Sequence, residues 1–527
     1  MANEVNFGNS ALHEMARGIE IGATAVGITM GGNGKTVFLY KQNVHLEATK
    51  DGVTVINNIR LSDLLQDAGL KLVQDISSKT AMQVGDGTSG VCVLMNEIVS
   101  EGLKLKQSGL NVIELKKGMD KATKSIVDSI KLMSKKIGND KKLLKQVATV
   151  SSNNDIEIGD YIGNIYEKLG KNASIVVEDG NAIDTVVELV NGFQFLGGYL
   201  SDYFINTPNN TSELVNPYVL IIDGKVEQMS SITPIMEKVV TEGRSLVIMA
   251  DDFHSYVQAD FLKNIQRNVI NGYLIKHQFS GETKDELLLD LCAFMGATLI
   301  TEKTGKKIEN IDTSYLGQCE KIISKKTETT IFNGKSNKKE VDLRISDCHN
   351  KIKSASNQFL KEKFELRLAK LSGAVAIYYV GGATKVEVGE KMARIDDAIR
   401  ATRCAVEEGV VCGGGSTLLK CIKNLEKLQW DSEDERSGIK LIQKSIEKPF
   451  WQICKNAGAS ADLLLEKVKE KGGNFGYNCK TNKIEDLMEA GIVDPAKVVR
   501  VCVENAISGA AQFLISECVI TDEITNQ

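Results

Sequence analysis

Apolar residues recur at helical spacing through both ends of this chain and gather into short strand-like runs in its middle. Ala16, Ile19, Ala23, Val26 and Met30 line one side of a predicted helix over residues 11–30. A turn, Gly31-Gly32-Asn33-Gly34, leads into the strand-like Thr36-Val37-Phe38-Leu39-Tyr40. A second turn, Thr49-Lys50-Asp51-Gly52, precedes Val53-Thr54-Val55-Ile56. Residues 61–84 read helical, and so does the run after Val91, with Val91, Leu94, Met95 and Ile98 on one face. Between those helices lies Gly85-Asp86-Gly87-Thr88-Ser89-Gly90, with Thr88 or Ser89 as the expected N-cap.

Past residue 136 the pattern mixes a helix (156–169) with a strand (Ser174 to Glu178). From about residue 192 it becomes alternating short strands and helices. Val219-Leu220-Ile221-Ile222 and Leu246-Val247-Ile248-Met249 read as buried strands. Ile232, Ile235, Met236, Val239 and Val240 form a helical stripe between them, and Tyr256, Val257, Phe261 and Ile265 form the next. This order predicts an α/β unit of its own. One long charged helix is expected over 348–371, then a strand over 375–380, then a helix-rich end.

Composition narrows the function. The 527 residues allow about three domains. The net charge of −5 comes from mixed signs and gives no reason to expect nucleic acid or a membrane surface as partner. Eleven cysteines follow no metal-binding spacing, and several sit in apolar runs, which points to a reducing cytoplasm. No signal peptide and no uninterrupted apolar run of membrane-spanning length is expected.

The 85–90 turn carries the candidate chemistry. A glycine-rich turn feeding a helix start offers free N–H groups to an anion. Asp86 adds a hard oxygen ligand suited to Mg2+ beside phosphates. Taken alone, such a turn is more often ordinary than functional. Gly34-Lys35-Thr36 resembles the end of a phosphate-binding P-loop. The motif needs glycine at Thr29, a strand before it and a helix after it, so that reading fails. Further polar-glycine sites occupy only the two chain ends: Thr29 with Gly31-Gly32, Lys50-Asp51-Gly52, Asp397, Gly413-Gly414-Gly415, Asn478 and Asp494. One nucleotide domain built from both ends, with another domain inserted, accounts for this.

These motifs resemble a group I chaperonin of the GroEL type along nearly the whole chain. The matching stretches are Val5-Asn6-Phe7-Gly8-Asn9, Thr49-Lys50-Asp51-Gly52-Val53, Gly85-Asp86-Gly87-Thr88, Val177-Glu178-Asp179-Gly180 and Gly198-Tyr199-Leu200-Ser201. Ala401-Thr402-Arg403-Cys404-Ala405-Val406-Glu407-Glu408-Gly409, Gly413-Gly414-Gly415 and Gly476-Tyr477-Asn478 continue the set. The resemblance implies a multidomain α/β fold. Its helical equatorial domain would span 1–135 and 408–527, its small intermediate domain 136–190 and 375–407, and its α/β apical domain 191–374. It implies ATP and Mg2+, with K+ as a further cation. Asp86 would hold the metal and phosphates, with Gly87, Thr88, Ser89 and Gly90 around them. Thr29, Met30, Gly31, Gly32 and Lys50 would line the phosphates. Gly414, Asn478, Cys479 and Asp494 would hold base and ribose, and Asp51 and Asp397 would activate water. Clients, unfolded polypeptides, would meet Tyr199, Tyr203, Phe204, Met236, Phe261 and Leu262. The chain would form a heptameric ring and work with a small co-chaperonin.

Departures from that family pattern matter. The loop after Thr29 lacks the family's proline and is looser. Gly90 stands where the family has threonine. Thr233, Gln258 and Lys263 make the expected groove more polar. Trp451 and Ser460 stand where the family has an arginine–glutamate pair between rings, so a single ring, or a double ring with weakened contacts, is favoured; Gly197 and Lys385 stand where the family has a pair between subunits, which points to altered allostery. The Gly/Met-rich tail is absent. Asp397 could instead be a surface ion-pair partner of Arg394 or Arg400. Two other readings stay open: a chaperonin-derived scaffold with little turnover, and a small-molecule kinase.

Overall fold

The structure is a computed structural model describing residues 3–40, 47–138, 140–152, 155–170, 173–180, 182–279, 281, 284–301, 303, 311–336, 338–355 and 358–522. The chain divides into two compact units. One joins Met1–Glu167 to Glu390–Gln527, and the other is Lys168–Gly389.

The first unit is helical. Gly8–Gly27, Leu64–Val84, Thr88–Gln107, Val112–Met133, Glu433–Ser445 and Ala496–Ile515 bury one core, with Leu12, Ile19, Val73, Leu94, Ile126, Ile442 and Val503 fully enclosed. Two helices cross at reciprocal glycines: a Cβ on Gly118 would fall 1.9 Å from the Glu435 carbonyl, and one on Gly438 2.0 Å from that of Leu115. Ala496–Ile515 is long and apolar enough to cross a membrane, yet 67% of its apolar window is buried inside the fold. It is a core helix, with Val503, Ala506, Ile507, Ala510 and Phe513 in the helical core. Asn3–Phe7 pairs antiparallel with Cys518–Asp522, the first and last strands among the described residues.

The second unit is the expected α/β body. Tyr218–Asp223, Leu246–Ala250 and Gly272–His277 lie parallel, and their residues Val219, Leu220, Ile248 and Leu274 are fully buried. The sheet continues through Gly317–Ser324, Glu328–Gly334, Val186–Tyr199 and Ala374–Val380 to Ser174–Asp179. Gly272–His277 also pairs with Val186–Tyr199, which curls the sheet back on itself. Helices Met229–Thr241, Ser255–Gln266 and Lys284–Met295 add their apolar stripes to its core.

The β-branched run Val53 to Ile56 lies in the helix Gly52–Asn57, whose first turn the Asp51 carboxylate caps by accepting from the N–H groups of Val53 and Thr54. Two local expectations change. The long charged helix is two, Lys338–Ser354 and Gln358–Ser372, and the Ser354 hydroxyl folds back onto the Asn350 carbonyl where the first ends. The N-cap after Asp86 is Gly87, not Thr88 or Ser89.

Candidate nucleotide site

The cradle begins where Leu64–Val84 stops. Gly85 takes φ +74° and donates its N–H to the Ala81 carbonyl, a left-handed helix end that glycine adopts without steric cost. Two residues on, Gly87 takes φ +78° and starts Thr88–Gln107. The Gly-Asp-Gly pattern is thus a double left-handed corner that turns the chain from one helix into the next. Gly87 supplies no side-chain oxygen to the new helix, and among the described residues no side chain caps its first-turn N–H groups. That leaves them available to an anion.

Neighbouring loops close around this corner. A Cβ on Gly52 would fall 2.4 Å from Ser89 Oγ and 3.2 Å from Thr88 Oγ1, so the Asp51–Gly52 bend lies against the cradle. Thr29 Oγ1 sits 3.2 Å from Ser89 Oγ and donates to the Val26 carbonyl. Met30 reaches over Gly90, its Cε 3.8 Å from where a Cβ would stand. Gly31 packs on Ile453, Gly32 is exposed, and Lys50 is exposed. Asn456 holds this loop by donating to the carbonyls of Gly27 and Met30, both at 2.8 Å.

The far side is built from the C-terminal segment. Strands Val410–Cys412 and Val493–Pro495 pair, which puts Gly413 against Asp494: a Cβ on Gly413 would lie 3.1 Å from Asp494 Oδ1. Gly414 and Gly415 both have left-handed backbones. Asn478 is buried; it donates to Glu485 and accepts from the Lys480 N–H at 2.9 Å. Cys479 is partly buried against the helical core.

Electrostatics tie the carboxylates together. Burial pushes Asp86 above the ordinary carboxylate range and the charge of Asp51 adds to this, while the Gly87 N–H and the Ser151 hydroxyl oppose it. Burial lifts Asp397 well above that range, helped by Asp51 and Asp86 and opposed by Arg400. Asp494 is pushed to about 7, by burial first and by Asp86 second. Asp86, Asp397 and Asp494 are therefore each pushed toward protonation by burial, with neighbouring carboxylate charge adding to it. A divalent cation opposes that push. Among the described residues no three His, Cys, Asp or Glu side chains form a metal site by themselves. A single carboxylate plus phosphate oxygens and water suits Mg2+, which keeps much of its hydration.

The two expected water-activating carboxylates differ. Asp51 spends both oxygens on its helix cap, accepting from the N–H groups of Val53 and Thr54 and from the Thr54 hydroxyl at 2.6 Å. Among the described residues no hydrogen bond to the Asp397 carboxylate is found, and it forms no ion pair with Arg394, which pairs with Asp155 at 3.3 Å. Sequence reasoning missed Ser151 and Asn456. The run Ser151-Ser152 could have flagged the first; nothing local marks the second, which acts 426 positions away from Met30.

The expected client face is mostly core in this structure. Tyr199, Phe204, Met236 and Phe261 are buried and Leu262 is partly buried; only Tyr203 is exposed, at 78%. Phe204 packs edge-on against Phe261, with centroids 6.2 Å apart, so two supposed contact residues contact each other. Tyr256, read in sequence as part of the buried stripe, is 75% exposed and stacks on His254.

Comparison with known proteins agrees with this architecture. The TCP-1/cpn60 chaperonin family pattern matches residues 23–523. Among solved structures, the chaperonin gp146 from bacteriophage EL 2 (Pseudomonas aeruginosa), crystallised in the presence of ATP-BeFx, is similar in two crystal forms. The TM-scores are 0.77 and 0.66 at 18% and 19% identity, each covering 98% of this chain and 99% of that one. The fold is GroEL-like, and the chain belongs to the TCP-1/cpn60 chaperonin family.

Proposed function

We propose that this chaperonin-family chain binds Mg·ATP at the 85–90 corner and hydrolyses it to drive capture and release of non-native polypeptide. The observation that carries the reading is the double left-handed glycine corner whose helix start has no side-chain cap, with the Asp51–Gly52 bend and Thr29 packed against Ser89 beside it and Asp86 within it. Phosphates would sit on the N–H groups of residues 88–90, beside Thr29 and the 30–32 loop, with Lys50 at the edge. Base and ribose would lie between Gly414, Asn478, Cys479 and Asp494. Mg2+ on Asp86 would neutralise phosphate charge. Asp397, the carboxylate with no hydrogen bond to satisfy, would take the proton of the attacking water, with Asp51 fixing the adjacent backbone. The test is titration of the purified protein with Mg·ATP and with AMP, followed by phosphate release with and without unfolded protein; no binding of Mg·ATP would end this reading.

The finer domain division, with intermediate segments at 136–190 and 375–407, is part of the same proposal. So is a reducing, cytoplasmic setting, in keeping with the free cysteines. The scaffold alternative draws on the buried Tyr199, Phe204, Met236 and Phe261. Client contact in this conformation would fall to Tyr203 and Tyr256. Tyr203→Glu is expected to weaken retention of unfolded protein on a native-like fold. Met236→Glu is expected to cost about 3–5 kcal/mol of stability, as an uncompensated buried charge does. Circular dichroism melts beside a client-retention assay separate the two; a destabilised Tyr203→Glu or a native-like Met236→Glu contradicts this assignment.

Self-assembly has support from exposed apolar strands in the helical unit. Phe7 is 72% exposed on the terminal pair, and Phe38 is 67% exposed on the Val37–Leu39 strand. Open sheet edges bearing apolar side chains seek partners. A heptameric ring is inferred from the family resemblance, and a single ring is favoured. Trp451 is committed within its own chain: its indole N–H donates to Asp462 at 3.2 Å, with the Lys448 and Lys455 ammonium groups 4.5 and 5.2 Å from its ring. Altered allostery is a separate expectation: at position 197 a Cβ would fall 2.7 Å from the His277 Cα, so the family's inter-subunit arginine has no room there. Analytical ultracentrifugation is expected to give one heptamer's mass with and without ATP; a stable species of two heptamers in both would refute the single ring. A small co-chaperonin is the remaining expected partner.

A further inference from the structure

One basic side chain on the cradle has no assignment. Arg400 follows Asp397 by three residues on the helix Lys385–Glu408 and shares its face. Its stem lies across Gly85: a Cβ there would fall 2.3 Å from Arg400 Cδ, 2.4 Å from its Cβ and 2.9 Å from its Cγ. Glycine at 85 is thus required twice, by its left-handed backbone and by the arginine resting on it. Arg400 is otherwise exposed, and its guanidinium makes no hydrogen bond or ion pair among the described residues. A surface ion pair with Asp397 is therefore not what holds it there. Its charge nonetheless reaches Asp397. An arginine anchored by its stem, with its planar donor fork unspent, stands at the first residue of a corner suited to phosphate.

We propose that Arg400 is a catalytic arginine supplied in cis, whose guanidinium engages the terminal phosphate of bound ATP. This rests on the nucleotide reading above. In the step, the bond from the γ-phosphorus to the β–γ bridging oxygen breaks and that oxygen leaves with the electron pair as ADP. A bond from the water oxygen to the γ-phosphorus forms, and Asp397 receives the water's proton. Arg400 keeps its own protons and stabilises the charge spread over the γ-phosphoryl oxygens. The need is electrostatic: a triphosphate enters a cleft already crowded with four carboxylates, and one divalent ion leaves an excess of negative charge.

Arg400→Met keeps the stem over Gly85 and removes the fork; Arg400→Lys keeps the charge. The Met variant is expected to lose about 10³-fold in kcat, the order found for such arginines. Its affinity for Mg·ADP·aluminium fluoride should fall in step, while its affinity for Mg·ADP stays within about threefold. Lysine should recover little, because it lacks the planar fork. A Met variant with the parental kcat and aluminium fluoride affinity overturns the proposal. So does one that loses Mg·ADP and the aluminium fluoride complex equally, which marks a packing role. A parental chain that fails to bind Mg·ATP overturns the nucleotide reading itself, a result distinguishable before any variant is made.

Discussion

Asp397→Ala is expected to lower ATP hydrolysis by about 10²–10⁴-fold, the usual cost of losing a general base, with Mg·ATP binding nearly unchanged. The motive is that the Asp397 carboxyl feels the charges of Asp51 and Asp86 and has no hydrogen bond among the described residues, while Asp51 is used as a helix cap. The raised affinity of Asp397 for its proton adds a pH signature. Only the ionised form can take a proton, so parental hydrolysis should climb as pH rises through its elevated range, and that limb should vanish in the variant. The stability effect has the opposite sign. A carboxyl that binds its proton more tightly folded than unfolded adds stability at low pH, and loses it as pH climbs from the ordinary value of 3.8 through the raised one. The nucleotide-free Ala variant should therefore melt no lower than the parent near neutral pH. Single-turnover phosphate release and thermal melts across pH check both; parental hydrolysis in the variant would remove Asp397 from the chemistry.

Asp86→Ala is expected to abolish the Mg2+ dependence of nucleotide binding and to weaken Mg·ATP affinity by more than about 100-fold, beyond what loss of an outer-shell partner of a metal costs. Adenosine affinity should change little, because the proposed base side, Gly414, Asn478 and Asp494, is carried by the C-terminal segment and not by the 85–90 corner. Removal of a buried, charge-crowded carboxylate should also leave the fold intact. Isothermal titration with Mg·ATP, metal-free ATP and adenosine distinguishes these effects. Equal loss for all three ligands would mean that Asp86 shapes the cleft and holds no metal.

Much of this was legible in the chain. Helical and strand periods located Thr88–Gln107, Tyr218–Asp223 and Leu246–Ala250, because burial on one face or both imposes a repeat that survives in sequence. Gly-Asp-Gly at 85–87 announced itself as a corner, since only glycine takes left-handed backbone twice within three residues at little cost. Local competition was harder to read. The sequence assigns no element to the run Val53 to Ile56, which in the fold is a helix capped by Asp51.

Tertiary structure alone decided which polar residues share a space and which apolar ones are spent on the core. Asp397 meets the field of Asp51 and Asp86, and Asn456 ties the loop at Met30, across hundreds of intervening residues that carry no trace of the contact. Tyr199, Phe204, Met236 and Phe261 have the composition of a sticky surface and of a core alike. Apolar chemistry has no direction, so only the packing of helix on sheet settles which it is. Arg400 followed the same rule: in sequence it was a charge at helical spacing from Asp397, and the fold laid its stem across Gly85.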